Sequence, residues 1–352
     1  MHFDQSNILV VGGAGFVGSN LCRKLLAHSG LHSLLVVDNF LSSEPFNLPK
    51  DPRLVLIKGS IADDAVLKQL PTDLDYVFHL ACFHGNQSSI HSPLEDHANN
   101  TLTSLKLFEQ IYNMSSLKKV IYSSAGCAVS EKTADTAKAT VEDAPNSLFH
   151  DSPYSISKII GEMYGNYYFT RYGMPFVKAR FQNVYGPGEV LGSGQWRGTR
   201  HTVWRNVTPT FIWKSLHGQP LPLENGGVAT RDFIFVADIV DGLLACALRG
   251  TPGEAYNLAT GEETSIRHWA SMINVLTGNP ANLQVEAPRD WDHSIKRFGS
   301  TDKAKQELGF EAKYTGEAGL RKTIEWTVDN RARIRETMLK HLKHLPELKT
   351  LP

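Results

Sequence analysis

No apolar run in this 352-residue chain approaches the roughly 18 residues that span a bilayer, and no cationic stretch followed by an apolar one opens it. The expectation is a cytoplasmic protein with no membrane partner. Cysteine is scarce: Cys22, Cys82, Cys127 and Cys246 have no paired spacing and stand among apolar or small residues, so they read as buried free thiols. An excess of charge of either sign is missing too, because 36 Lys and Arg balance 36 Asp and Glu. Without a global field the chain has no sign of nucleic-acid binding, and any anionic ligand must be held by local groups. The 14 histidines form no close-set pair with a carboxylate, and His341 and His344 lie in a polar tail, so no metal is expected. Repeats and low-complexity segments are absent. With 41% hydrophobic and 20% charged residues, the chain reads as a globular protein long enough for two structural units, with small molecules as partners.

What is present begins at Asn7. The apolar run Ile8-Leu9-Val10-Val11 enters Gly12-Gly13-Ala14-Gly15-Phe16-Val17-Gly18 and then a helical pattern. A strand, a glycine-rich turn and a helix in that order make a dinucleotide site: Gly12 permits the turn, Gly15 lets the backbone approach a pyrophosphate, and Gly18 lets helix and strand pack closely. Glycine also serves such turns for steric reasons alone, so a second observation matters. Leu34-Leu35-Val36-Val37 reads as a buried strand ending at Asp38, 20 positions after Gly18, where a ribose-binding acid is expected. A carboxylate there accepts both adenosine ribose hydroxyls and repels a 2′-phosphate, which favours NAD over NADP.

Further strands are expected at 54–57, 76–80, 120–123 and 175–180, with helices at 93–112 and 154–172, an alternation that predicts a doubly wound α/β fold with a parallel sheet. From about Gly186 the texture changes to a Gly-, Trp- and Arg-rich stretch, followed by helical patterns at 210–216, 237–248, 265–276 and 317–330. The expected division is a cofactor-binding domain over 1–182, a smaller mixed α/β substrate domain over 183–332, possible interleaving of the two, and a charged helical tail over 333–352.

Tyr154 and Lys158 lie four apart on one predicted helix, so their side chains share a face. A phenol with a reference pKa of about 10 needs roughly 4 kcal/mol of preferential phenolate stabilisation to act as a base at neutral pH. An ammonium at about 4 Å supplies a contribution of that order at an effective dielectric near 20. Tyr154 can then take a proton from a substrate hydroxyl while hydride passes to the dinucleotide.

With the glycine turn, Asp38 and the strand end Ile121-Tyr122-Ser123-Ser124, the Tyr-x-x-x-Lys pair makes the chain resemble the extended short-chain dehydrogenase/reductase family. Within that family it is most similar to the NAD-dependent nucleotide-sugar epimerases and dehydratases, over roughly residues 7–330. The resemblance implies a Rossmann-type domain, NAD as cofactor and a nucleotide sugar, expected to be UDP-linked, as substrate. It implies cofactor contacts at Gly12, Gly15, Phe16, Val17, Gly18, Asp38, Asn39, Ser60, Ile61, Leu80, Ala81, Asn100, Ser123, Tyr154 and Lys158. It also implies substrate diphosphate contacts at Asn183, Arg231 and Arg289, with Asp292 on the nucleoside ribose. Two guanidinium forks and an amide converging on a diphosphate is sound chemistry. The alternative for Arg231 is a pairing with its neighbour Asp232.

Three departures from the family pattern matter. Its third serine-rich position, a Ser or Thr whose hydroxyl bonds the reacting oxygen, is Ala125 here, so either Ser124 serves through a shifted turn or the hydroxyl is absent. The Asp-Glu pair of the dehydratases is replaced by Gly126-Cys127, which disfavours dehydration. Ser60 stands where many relatives carry an Asp against the adenine amine. His84 falls where related 4-epimerases carry a polar residue close to the sugar. Residues 189–206 are dense in cations and indoles, and one of Arg197 or Arg200 is a candidate reader of a C6 carboxylate, with a solvated loop or subunit contact as the alternative.

The expected activity is C4 epimerisation of a UDP-hexose, UDP-N-acetylhexosamine or UDP-uronate through a 4-keto intermediate, within polysaccharide biosynthesis. Its catalytic residues are Tyr154, Lys158 and Ser124. Two alternatives stay open: a decarboxylase of a nucleotide uronate, which begins with the same oxidation, and a catalytically impaired protein that binds the same ligands. By analogy with relatives, the long helices at 93–112 and 154–172 imply a homodimer.

Overall fold

The computed structural model describes residues 3–126, 138–290 and 296–351. Seven strands form the central sheet: β1 (Asn7–Val11), β2 (Ser33–Asp38), β3 (Leu54–Lys58), β4 (Tyr76–His79), β5 (Lys119–Ala125), β6 (Phe176–Phe181) and β7 (Ala255–Leu258). Their order is β7-β6-β5-β4-β1-β2-β3, and every pairing is parallel. The order reverses at β1, so the crevice at the carboxyl ends of β1 and β4 is the switch point where ligands bind in such sheets.

Burial on both faces explains the near-continuous apolar strands. Ile8, Val10, Val36, Phe78 and Ile121 face one core, closed by the helices Phe16–Leu26 and Val236–Arg249. Their alternates Leu9, Val11, Val37, Val77 and Tyr122 face the other, under the Thr103–Ile111 and Pro153–Tyr172 helices. The latter starts at Ser152, whose hydroxyl accepts from the Ser155 amide, with Pro153 in its first turn, and stops at Gly173 in the left-handed region (φ 73°). It lies so close to the sheet that a Cβ on Gly161 would overlap the Tyr122 ring, and one on Gly165 the Phe176 ring. A buried bidentate pair, Arg180 to Glu162 at 2.9 and 2.8 Å, ties it to β6.

Two features differ from expectation, and a third bears on the interleaving that the expected division left open. The helix expected over 93–112 is broken by a π-helical turn, His97–Leu102, between Pro93–Asp96 and Thr103–Ile111; such turns insert a residue and re-aim side chains, here Asn100. Residues 183–254 leave the sheet and the chain then returns to it as β7, so the two expected domains interleave. The charged tail is not a tail. The chain bends at Asn330 (φ −107°, ψ 11°) into the Arg331–Leu339 helix and the Pro346–Thr350 turn. Ile334 and Met338, one helical turn apart, join Leu345, Leu348 and Leu351 in burying Val190, Leu191, Val203 and Trp213. Charge dominates the composition of this segment, but the spacing of its apolar residues gives it a packed face.

Candidate active site

A cavity of about 710 Å³ opens above the carboxyl ends of β1, β4 and β5 and runs under residues 183–231. Gly12 sits at its floor with φ 85°, its amide donating to the Val37 carbonyl at 2.8 Å, and a Cβ there would stand 2.6 Å from the Ala81 amide. A Cβ on Gly18 would overlap the Gly12 carbonyl, whereas one on Gly15 would meet only that oxygen, at 3.2 Å. Gly15 therefore leaves its outer side open at the start of the Phe16–Leu26 helix, which has no side-chain cap. Uncapped amides facing a cavity are what a pyrophosphate needs.

Asp38 is buried at the end of β2. Its carboxylate accepts from the amides of Ala14 and Phe40, both at 2.9 Å, and from Ser43 Oγ at 2.7 Å. Burial raises its pKa while these three bonds oppose the rise. Phe16, Val17, Asn39, Ser60, Ile61, Leu80, Ala81 and Ser123 line the same half of the cavity. Cys82 is half-buried and lines it too, while Cys22 and Cys246 are buried; all three are free thiols. Cys127 lies outside the described residues.

Tyr154 and Lys158 both line the cavity, with the Lys158 ammonium 5.8 Å from the Tyr154 ring centroid. Lys158 is buried and donates to the Ser123 carbonyl at 2.7 Å. Ser123 Oγ in turn donates to the His79 carbonyl at 3.0 Å, and His79 shares a hydrogen with Ser104 Oγ at 3.0 Å. Burial, with the Lys158 charge behind it, pushes the His79 imidazole down to about 3. Ser124 is buried at the cavity wall, and its hydroxyl has no hydrogen-bond partner among the described residues. Ala125 instead packs on Ile159 against the Tyr154 ring. Of the two serines that line the cavity at this strand end, Ser123 is bonded to the His79 carbonyl and Ser124 is the one whose hydroxyl has no partner among the described residues.

His84 lies edge-on to Tyr154, with ring centroids 6.2 Å apart. Burial and the charges of Arg205 and Arg197 push its pKa down to about 3, which keeps the imidazole neutral at pH 7. Asn183, Arg200, Arg231 and Arg289 line the far half of the cavity. Arg231 Nη1 donates to the Thr230 carbonyl at 2.7 Å. The Asp232 carboxylate is buried and turned the other way, accepting from Thr260 N and Oγ1, Gly261 N and Gly299 N. Arg289 forms an ion pair with Glu224.

Two expected residues do not reach the cavity. Arg197 is buried behind it, donating through Nη1 to Ser42 Oγ at 2.8 Å and the His84 carbonyl at 3.1 Å. Asn100, re-aimed by the π-helical turn, holds the Phe83 amide at 2.6 Å and donates to Asp96 at 2.8 Å and Ser157 at 3.2 Å. It braces the loop after β4 against the Tyr154 helix instead of lining the cavity. Asp292 lies outside the described residues. Lining residues that were not expected include Glu189, Arg205, Asn206 and Lys214. Only the cationic texture of residues 189–206 hinted at any of them.

One further set of contacts closes over the Asp38 loop. The Leu41 carbonyl accepts from Gln195 N at 3.0 Å, the Ser42 carbonyl from Arg205 at 2.9 Å, and Glu44 from Gly194 N at 2.8 Å and from Lys340. Arg333 stacks on Phe46, 4.7 Å from the ring centroid.

Residues 8–259 match the sequence model of the NAD dependent epimerase/dehydratase family. The chain belongs to this family. It is 30% identical to the UDP-glucose 4-epimerase of Mycolicibacterium smegmatis over 90% of this chain and 97% of that one. It spans about half the length of some curated relatives, such as the trifunctional UDP-glucose 4,6-dehydratase RHM2 of Arabidopsis thaliana, at 25% identity over 93% of this chain and 48% of that one. Among solved structures, the Bordetella bronchiseptica enzyme WbmF in complex with NAD+ and UDP is 54% identical over 98% of both chains, with a TM-score of 0.86. The cofactor of the family is NAD, and the glycine turn and Asp38 fit it: the turn offers uncapped amides and a surface bare of side chains, and the carboxylate sits one strand away. Among the described residues no group of three His, Cys, Asp or Glu converges as a metal site, and no helix is long and apolar enough to cross a membrane.

Proposed function

We propose that the protein epimerises a UDP-activated sugar at C4. The observation that carries this reading is the set of three groups at one wall of the cavity: the Tyr154 ring, the Lys158 ammonium beside it, and the Ser124 hydroxyl with no protein partner among the described residues. Tyr154 takes the proton of the C4 hydroxyl. Lys158, anchored on the Ser123 carbonyl, favours the phenolate by its charge. Ser124 donates to the sugar oxygen as it becomes a carbonyl, a bond that gains strength as charge develops. NAD, when bound, takes up hydride from C4 and returns it. Asn183, Arg231 and Arg289 hold the diphosphate while the sugar turns its other face, with Asp292 on the nucleoside ribose. Gly126-Cys127 supplies no acid-base pair for removing water, which sets epimerisation above dehydration.

The relatives support the UDP-sugar reading, since the UDP-glucose 4-epimerase of M. smegmatis and the UDP-bound WbmF align over nearly the whole chain. The test is conversion of UDP-hexoses, UDP-N-acetylhexosamines and UDP-uronates by the NAD-loaded protein, followed by NMR. Appearance of the C4 epimer from one class is expected. A product one carbon shorter would make the protein a decarboxylase, and no conversion of any class would leave only binding. We also propose a homodimer through the helices at 93–112 and 153–172, which leave Leu94, Met163 and Tyr167 exposed on their outer side. Analytical ultracentrifugation showing a monomer would overturn that assembly.

A further inference from the structure

Residues 331–351 take no part in the catalytic reading, and no described residue that lines the cavity comes from them. They are nevertheless built into its cover. Ile334, Met338, Leu345, Leu348 and Leu351 share a core with Val190, Leu191, Val203 and Trp213, separate from the cores on the two faces of the sheet. The two stretches approach each other at backbone distance. Gly192 has φ 72°, a Cβ on it would stand 2.7 Å from Met338 Cα, and its carbonyl accepts from His341 Nε2 at 2.8 Å. Trp196 stacks on His344, with ring centroids 4.5 Å apart and planes 3° from parallel. Packed in this way, residues 190–204 and 331–351 form one body.

That body rests on the loop that follows Asp38. Asn39, Leu41, Ser42 and Ser43 line the proposed cofactor half of the cavity. From beneath, the loop is held by Asp38 and by Asn47, whose side-chain amide donates to the Ala14 carbonyl of the glycine turn at 3.0 Å. Phe40 has φ 55°, in the left-handed region that bulky side chains seldom occupy. Such a backbone persists only where its surroundings over-determine it. The body above adds to those constraints. Lys340 pairs with Glu44, Arg333 lies over the Phe46 ring at 4.7 Å, and the amides of Gln195 and Gly194 donate to the Leu41 carbonyl and the Glu44 carboxylate. Gly194 fits there for want of a side chain, since a Cβ on it would overlap the Leu41 carbonyl.

We propose that residues 331–351 are a strap that keeps the loop over 39–46 closed on the cofactor half of the cavity, so that NAD leaves only when Lys340 and Arg333 release Glu44 and Phe46. The strap acts on a rate. Glu44 and Phe46, like the strap itself, are not among the residues that line the cavity. Loss of the two contacts therefore takes a partly exposed ion pair and a cation–π contact from the closed loop and nothing from the cavity wall. The proposal needs NAD at the glycine turn and Asp38, and is independent of which sugar is turned over.

The test is the rate at which radiolabelled NAD leaves the loaded protein under a chase of excess unlabelled NAD, in wild type, in the double variant Arg333→Ala with Lys340→Met, and in Lys313→Met. Lys313 makes an exposed ion pair with Asp241 on the Val236–Arg249 helix and serves as the control. The double variant should release NAD about tenfold faster, with a melting temperature close to that of wild type, while the control keeps the wild-type rate. Hydrogen exchange read by mass spectrometry should quicken over residues 39–46 in the double variant and stay unchanged in the sheet. Leu348→Ala, which loosens the strap from the 190–204 stretch without touching the loop, should quicken release and exchange in the same segment. Equal release from wild type and the double variant would overturn the proposal, as would faster release from Lys313→Met. Faster release with unchanged exchange over 39–46 would overturn it too, because the loop would then not be what opens. None of these measurements uses a sugar, so they stand or fall apart from the epimerase reading.

Discussion

The two halves of the cavity are built from different materials. The proposed cofactor half is mostly backbone: a glycine turn, uncapped helix amides and strand ends, with Asp38 held by three protein bonds at the end of β2. The far half is side chains, with Arg200, Arg205, Lys214, Arg231 and Arg289 reaching in from several loops and a helix. Backbone recognises what is common to every dinucleotide, whereas side chains can be exchanged without moving the sheet. One fold can in this way keep its redox chemistry and change its sugar.

The sharpest way to break the comparison is at the seam between the halves. Tyr154→Phe removes the hydroxyl proposed as the base, and kcat should fall about 10²- to 10⁴-fold with NAD content unchanged, read by NMR conversion and by absorbance of the released cofactor. Lost NAD in this variant would mean that the seam also holds the cofactor half.

Glu189 probes the far half through pH. Its folded pKa, near 7, lies above the ordinary 4.5, so the folded state binds the extra proton between those values. Stability of the ligand-free protein should therefore fall as pH rises from about 4.5 to about 7, by on the order of 2–3 kcal/mol. Glu189→Gln cannot ionise. Thermal melts should show it level with wild type near pH 4.5 and more stable at pH 8; melts that run parallel at all pH values would refute the assignment.

Within the backbone half, Gly18→Ala places a methyl group on the Gly12 carbonyl. Overpacking of that kind costs about 1–3 kcal/mol, and NAD content of the purified protein should drop with the melting temperature. Ser124→Ala removes one hydroxyl from a site that keeps its base. A tenfold to hundredfold fall in kcat is expected, with little change in KM, because the bond strengthens only as the carbonyl forms. An unchanged kcat would return the role to some other hydroxyl. The smallest effect belongs to Lys340→Met. Its ion pair with Glu44 is partly exposed, so equilibrium stability should change by less than about 1 kcal/mol.

The same contrast decides what was legible in the sequence. The strand, glycine turn and helix at 7–26, the strand ending at Asp38 and the shared helix of Tyr154 and Lys158 were legible because each depends on spacing within one or two adjacent elements. The parallel sheet followed from the alternation of apolar strands with helical patterns. Arg197 was misread because a loop's composition says nothing about which of its arginines points inward; Arg200 and Arg205 line the cavity while Arg197 holds Ser42. Asn100 was expected at the cofactor only by resemblance; it sits in a π-helical turn that hydrophobic spacing does not signal, bonded to Phe83, Asp96 and Ser157. Glu189 and Asn206 went unnoticed because they are 17 residues apart in sequence and become neighbours only when the loop folds back. In the last segment, Ile334 and Met338 were hidden by the charges around them.

The contacts over the Asp38 loop bear on the enzyme's relation to cellular metabolism. Residues 41–44 are held from above by Gln195, Arg205, Gly194 and Lys340, and each of these must let go before the loop can move. On the proposed placement of NAD, a dinucleotide seated beneath that clasp would exchange on the timescale of local opening and not of turnover. An epimerisation returns the hydride it borrows, so no exchange is needed for the cycle to repeat. If the proposed epimerisation holds, the rate would be insulated from swings in the cell's ratio of reduced to oxidised dinucleotide and would follow the supply of the sugar.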